Sequence, residues 1–319
     1  MRPLGNIFKA QDYPDLIVGI NPPDDAAVWR IDDSRSIVVT TDFFTPVVDE
    51  PYDYGAIAAA NSLSDIYAMG AIPFLALNIA AFPPQLPAEF LSEIIRGAAE
   101  KAKEAGVVIA GGHTIQDKEP KFGLVVIGML ETKNLLTKSA VQPDDLLILT
   151  KPLGIGVTTT ANKAEKAKIE DIQEAKLWMH TLNKLPSQLA VQLELKAATD
   201  ITGFSLLGHA YEMASTSKVE LVFTAKKIPF LQGARQYGEK WFFAGGAADN
   251  QLFYKKFVNF SQDIDEVTEM LLFDPQTSGG LLIACPPSKI HEFESSAHQL
   301  NIPYWIIGQA FPGQGLRII

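Results

Sequence analysis

A chain of 319 residues is longer than most single hydrophobic cores support, so about two domains are expected. Its net charge of -10 repels nucleic acid and anionic lipid, and would repel a nucleotide too unless bound metal or local cations reverse the sign at the site. The lone cysteine, Cys285, excludes an intrachain disulfide and a thiolate zinc cluster, and no apolar run reaches the length of a membrane span, so a cytoplasmic protein without membrane or nucleic-acid partners is expected. The opening residues, MRPLGNIFKAQDYPD, lack the apolar core of a signal peptide.

Residues 16–18 begin a strand, and the turn Asn21-Pro22-Pro23-Asp24-Asp25 enters a second. Turn chemistry, with the side chain bonded to nearby backbone, is the simpler reading of Asp24; Asp25 stays a candidate ligand. The run SIVVTT ends in Asp42. Pro46 and Pro51 bracket a loop, and a helix is predicted from about Tyr54 to just before Gly70. On a 3.6-residue period Ala58, Asn61, Ser62 and Asp65 share one face, while Leu63, Ile66 and Tyr67 point to the core. A solvated face would carry Lys and Glu, so the stripe is expected to look into a polar cavity. The alternative is a buried Asp65 that caps a neighbouring turn.

Residues 74–81 read as a buried strand, closed by Pro83 and Pro84. Residues 87–105 read as an amphipathic helix with Phe90, Leu91, Ile94, Ile95 and Ala98 on one face and Gly106 at its end. A short strand, 107–110, is expected to run into a loop at Gly111, Gly112, His113 and Thr114, where two glycines let backbone N–H groups approach an anion. Another strand covers 122–130. Composition turns polar over 134–145, which divides the chain into domains 1–142 and 143–319.

In the second half a strand over 146–150 leads through KPLGIG into a helix, without the spacing of a P-loop or a dinucleotide fingerprint. Helices follow over 160–198. Asp200 stands just before a helix over 206–213 and reads as its N-cap or as a ligand. Residues 219–223 form a strand and 225–255 are loop-rich. The turn DPQTSGG enters a strand over 281–284, Cys285 is a buried thiol, and a helix over 290–300 and a strand over 304–307 finish the chain. Each half is an α/β layer domain.

Asp25, Asp42, Asp65 and Asp200 each lie beside small or hydroxyl residues near the end of an element. Carboxylates without adjacent Lys or Arg suit hard cations, and magnesium completes its shell with phosphate oxygens and water. Clustered without metal they would repel one another, so either cations fill the cluster or the acids lie apart. His113 and His209 are the histidines nearest this chemistry; no zinc-hydrolase or serine-hydrolase motif is present.

Taken together, PDDAAV, TTDFFTPVVDEPYDYGAIAAANSLSDIYAMGA, GGHT, LTKPLG, ATDITGFSLLGHAYEMA and DPQTSGGLL resemble selenophosphate synthetase (selenide, water dikinase) in order and spacing, from about Asn6 onward. The resemblance implies the aminoimidazole ribonucleotide synthetase-like fold, two mixed α/β domains with the N-terminal domains pairing across a homodimer into a β-barrel. It implies a magnesium-dependent transferase of the kinase type, which converts ATP and selenide to selenophosphate, AMP and phosphate. By the same resemblance Asp25 binds magnesium, Asp42 lies at the ATP site, Asp65 touches ATP and metal, and Asp200 is a metal ligand from the second domain. Gly111, Gly112 and His113 approach the nucleotide, in some members from the partner subunit. Phosphoryl transfer then rests on positioning and charge neutralisation.

Family members also carry an upstream glycine-rich segment with a cysteine or selenocysteine and a lysine three residues later. No cysteine precedes Cys285 here, and Lys9 does not match that lysine. Truncation, natural variation and loss of the reaction each account for this. The expectation is a retained ATP and magnesium site with low activity of these residues alone. A non-catalytic ATP-binding paralog and a kinase or synthetase with another substrate are the alternatives.

Overall fold

The computed structural model describes residues 4, 7–20 and 22–319. The turn residue Asn21 and the start of the resemblance at Asn6 lie outside them. The chain forms two compact units, Met1–Leu135 and Leu136–Ile319.

In the first unit, strands β1 (Leu16–Val18), β2 (Ala27–Arg30) and β3 (Arg35–Phe44) are followed by helix α1 (Pro51–Ala68). Then come β4 (Ile72–Phe82), α2 (Ala88–Ala105), β5 (Val108–Gln116) and β6 (Lys121–Glu131). The sheet order is β1-β2-β3-β6-β4-β5. Only the β4–β5 pair is parallel, because α2 crosses over between those two strands. Pro51 starts α1 three residues earlier than the sequence suggests, since proline's fixed φ and missing N–H suit the first helical turn.

The α1 stripe packs against the sheet. Ile57, Leu63 and Ile66 join Val38, Leu124 and Val126 in the core, all fully buried. Helices α1 and α2 meet at glycines: a Cβ on Gly55 would lie 1.8 Å from the Ile94 carbonyl oxygen, and one on Gly97 would lie 2.0 Å from that of Tyr52. The buried face of α2 is accordingly Ile94, Gly97, Ala98, Ala102 and Ala105, while Phe90 from the expected apolar face stays exposed.

Two expectations change here. Strand β4 is not buried on both sides, because Ile72, Phe74 and Leu77 are exposed. Trp29, Val39 and Phe43 are exposed as well, so the sheet face away from the helices is apolar and open in this single chain. The GGHT segment is no loop; it runs inside the edge strand β5, with Gly112 opposite Asn78 and His113 opposite Ile79. A Cβ on Gly112 would lie 2.4 Å from the Asn78 carbonyl oxygen, so glycine there serves close pairing just past an extra residue in β5.

The second unit holds β7 (Leu146–Leu149), α3 (Ile155–Lys163), α4 (Ile169–His180), α5 (Lys184–Gln192), β8 (Ala197–Asp200), α6 (Ser205–Ser217) and β9 (Val219–Phe223). It continues with α7 (Ala234–Glu239), α8 (Gly245–Tyr254), β10 (Val258–Phe260), α9 (Glu266–Leu272), β11 (Leu281–Cys285), α10 (Ile290–Gln299), β12 (Trp305–Pro312) and β13 (Gly315–Ile318). Its sheet runs β10-β13-β9-β12-β7-β11-β8. The stretch 225–255, read as loop-rich, contains α7 and α8, and β13 follows the strand expected to be last. Both helices are short, 6 and 10 residues, and form through packing more than through their own periodicity. Cys285 is fully buried, and burial pushes its thiol up to about 11. Among the described residues no helix is long and apolar enough to cross a membrane.

Replacing Gly97 by alanine is expected to destabilise the protein by about 1–3 kcal/mol, because backbone must move to admit the methyl group. A lowered urea midpoint measures this; an unchanged midpoint would contradict the contact.

Candidate functional site

Along β3 alternate residues face α1, and the row turns from apolar to polar at its end: Val38, then Thr40, then Asp42. The helix runs the opposite way. Tyr54 donates to the Phe44 carbonyl, Asn61 Nδ2 donates to Asp42 Oδ2, and Thr40 Oγ1 donates to Asp65 Oδ2. The match has a metric cause. Four helical residues rise about 6 Å and two strand residues about 6.7 Å, so Asn61 and Asp65 meet Asp42 and Thr40 in step. Ser62 completes the seam. Its Oγ lies 3.0 Å from the Asp42 carbonyl oxygen and accepts the Leu124 N–H at 3.2 Å.

The stripe therefore faces β3, and Asp65 accepts from Thr40 across the seam. Asp42 and Asp65 are both half-buried. Burial pushes the Asp42 carboxyl above its ordinary range, against the opposing pull of Asn61. Asn61, the side-chain donor to Asp42, is neutral and orients that carboxylate without cancelling its charge, and Thr40 orients Asp65.

Asp24 does perform turn chemistry, accepting the Asp25 N–H at 3.0 Å. Asp25 lies two residues ahead of β2, whose Ala27 is opposite Val39, so the antiparallel direction carries Asp25 toward the Asp42 end of β3. One row crosses the sheet from Asp42 through Leu124 and Asn78 to Gly112. Asn78 was missed by the sequence reading. Its buried Oδ1 has no hydrogen-bond partner among the described residues, and only strand register could have found it. His113 lies next along β5 and is exposed.

Asp200 ends β8 opposite Leu281 and is buried; the residue that caps α6 is Phe204, so the N-cap reading is corrected. Three motif segments meet around it. Gln276 Oε1 accepts the N–H groups of Gly154 and Ile155, both at 3.0 Å, and Asp274 Oδ2 accepts that of Val157 at 3.0 Å, so DPQ caps α3 from far along the chain. The Gln276 N–H donates to the Thr202 carbonyl, and Lys151 Nζ donates to the carbonyls of Ser278 and Thr181. The paired glycines allow the approach: a Cβ on Gly279 would lie 2.0 Å from the Ile201 carbonyl oxygen.

Beside Asp200, Thr202 Oγ1 lies 3.2 Å from His209 Nε2. Burial, aided by the Lys138 charge, holds His209 well below the ordinary histidine range, so it is neutral near pH 7. Lys138 Nζ is paired with Glu212 at 2.8 Å.

Among the described residues no three His, Cys, Asp or Glu side chains are gathered as a ready metal cage. The oxygen donors of the Asp42–Asp65 seam fit a magnesium ion that takes one or two carboxylates and completes its shell from water and phosphate.

Residues 23–130 match the family described as AIR synthase related protein, N-terminal domain, and residues 142–319 match its C-terminal domain. The fold and these two matches define a two-domain AIR synthase related protein. A selenide, water dikinase of Caldanaerobacter subterraneus subsp. tengcongensis is 48% identical over 295 residues, 92% of this chain and 85% of the relative. Another from Carboxydothermus hydrogenoformans is 46% identical over 290 residues, 91% of this chain and 84% of the relative. The solved structure of thiamine-monophosphate kinase from Stenotrophomonas maltophilia shares the fold, with a TM-score of 0.71 at 18% identity over 97% of this chain and 92% of that one. The chain belongs to the selenide, water dikinase family.

Burial pushes the Asp274 carboxyl up to about 7 from an ordinary value of 3.8. A raised acid gives its stabilising contribution below the unfolded value and loses it as pH climbs through the folded one. Asp274→Asn keeps an acceptor for Val157 and removes the titration. The variant's gain in Tm over the parent is expected to be larger at pH 8 than at pH 5; an equal difference at both would contradict this.

Proposed function

We propose that the chain catalyses ATP-dependent formation of selenophosphate from selenide, with AMP and phosphate as the other products. The observation that carries the reading is 48% identity over 92% of the chain to a protein named selenide, water dikinase. In this reading Asp25, Asp42 and Asp65 hold the ATP triphosphate with magnesium, and Asp200 contributes a further metal ligand. Gly111, Gly112 and His113 approach the nucleotide from strand β5. Magnesium held by these carboxylates would supply neutralisation of the phosphate charge. The chain's own part is to hold carboxylates at fixed positions, with Asn61 and Thr40 setting their rotamers before ligand arrives.

The same reading makes the protein a cytoplasmic homodimer. The open apolar face of the first sheet, with Trp29, Val39, Phe43 and Leu77 exposed, supports pairing of N-terminal domains into a barrel. A single buried cysteine suits a reducing compartment.

Three measurements test this. Purified protein supplied with selenide, ATP and magnesium is expected to yield AMP, and chelation with EDTA to stop it; AMP formation indifferent to selenide would sink the assignment. Asp42→Asn is expected to melt higher than the parent without ligand at pH 8, because a desolvated charge is gone, yet to lose at least roughly tenfold in affinity for magnesium-ATP. Unchanged affinity would remove Asp42 from the site. Val39→Lys, on the apolar face, is expected to shift the protein from dimer to monomer in sedimentation velocity.

A further inference from the structure

We propose that the second unit carries a separate anion site that takes a phosphate monoester. It is a cleft of about 540 Å³ beside the C-terminal end of α6, the edge strand β10 and its neighbour β13. Lys218 and Lys256 line it together with Asn259 and Gln314, and Tyr211 and Phe257 form an aromatic wall. No carboxylate contributes to the lining, although the whole chain has 37 acidic against 27 basic residues.

The lysines are available for a ligand. The neighbouring Lys255 is spent on Glu269 at 2.6 Å, whereas neither Lys218 nor Lys256 forms an ion pair among the described residues. Lys256 is held over aromatic rings, its Nζ 4.9 Å from the Phe257 centroid and 5.4 Å from that of Phe253. Phe257 is in turn stacked on Tyr211 at 4.0 Å, which gives the ammonium a defined seat. Lys218 leaves α6 in a left-handed conformation, φ 59°, and turns the chain directly into β9. The carbonyl end of α6 supplies a fraction of a negative charge there, against two full positive charges from the lysines.

Volume and chemistry select the ligand class. Two ammonium groups and two side-chain amides suit a phosphoryl group's oxygens. The cleft is several times larger than a bare phosphate ion and lies in the size range of small-molecule sites, which favours an ester carrying an organic part. It is distinct from the Asp200 neighbourhood. Asp200 and Thr202 precede the first turn of α6 and Lys218 follows its last, about 20 Å away along a helix of 13 residues.

Lysine footprinting of the full chain tests the site. The protein is treated with an amine-reactive acetyl ester, without magnesium, and labelling is read per lysine by mass spectrometry. AMP is expected to slow labelling of Lys218 and Lys256 by about threefold or more, with Lys166 and Lys240 unaffected. Inorganic phosphate at the same concentration is expected to protect less; equal protection would overturn the ester. Unchanged labelling with both ligands would overturn the site. In Lys256→Ala, AMP is expected to protect Lys218 no longer, and persisting protection would count against a shared site. Protection is expected to survive in Asp42→Asn. Its loss there would assign the effect to the nucleotide site and end the proposal, whereas its survival stands whatever becomes of the selenophosphate reading.

Discussion

The seam between α1 and β3 is the constraint on which the first unit depends. Two carboxylates are drawn part-way out of water and given neutral donors, Asn61 for Asp42 and Thr40 for Asp65. A lysine at either position would have made a salt bridge and cancelled the charge. A neutral donor such as Asn61 fixes the Asp42 rotamer and leaves its charge in place. The raised Asp42 carboxyl is the thermodynamic trace of this choice: its charge carries a desolvation penalty that a cation held there would offset. Close helix packing at Gly55 and Gly97 then keeps α1 at the distance the seam needs.

The second unit meets a different demand. Its motif segments are bound chiefly to one another. Gln276 and Asp274 satisfy the first N–H groups of α3, Lys151 reaches the carbonyls of Ser278 and Thr181, and Thr202 receives the Gln276 N–H. The DPQ part of the family motif DPQTSGG is thus a distant cap for a helix whose own preceding residues are Leu153 and Gly154. Asp200 is held at the end of a strand that pairs directly with that scaffold, which sets its backbone through the sheet.

Legibility followed the range of the interaction. The helix from about Tyr54 onward, its core residues Leu63, Ile66 and Tyr67, and its polar stripe follow from a 3.6-residue period. Strand β9 appeared within the limits read from its apolar run. GGHT read as a loop because glycines signal turns locally, yet pairing with β4 makes it a strand. Asp200 read as a helix cap or a ligand, and the cap reading arose because a cap and a strand end look alike in one dimension. Asn78 gave no signal at all; its interest comes from lying in one row with Asp42 and Gly112 across the sheet.

The sequence by itself determined the two mixed α/β layers, the acids worth watching and the family resemblance, because periodicity and motif order are written in covalent neighbours. Only the tertiary structure decided what each polar atom meets: that Asp42 meets Asn61, that Gln276 caps α3, and that Lys218 and Lys256 share a cleft. Those pairings join residues far apart along the chain, and their geometry is fixed by strand register and helix crossing, which no local pattern encodes.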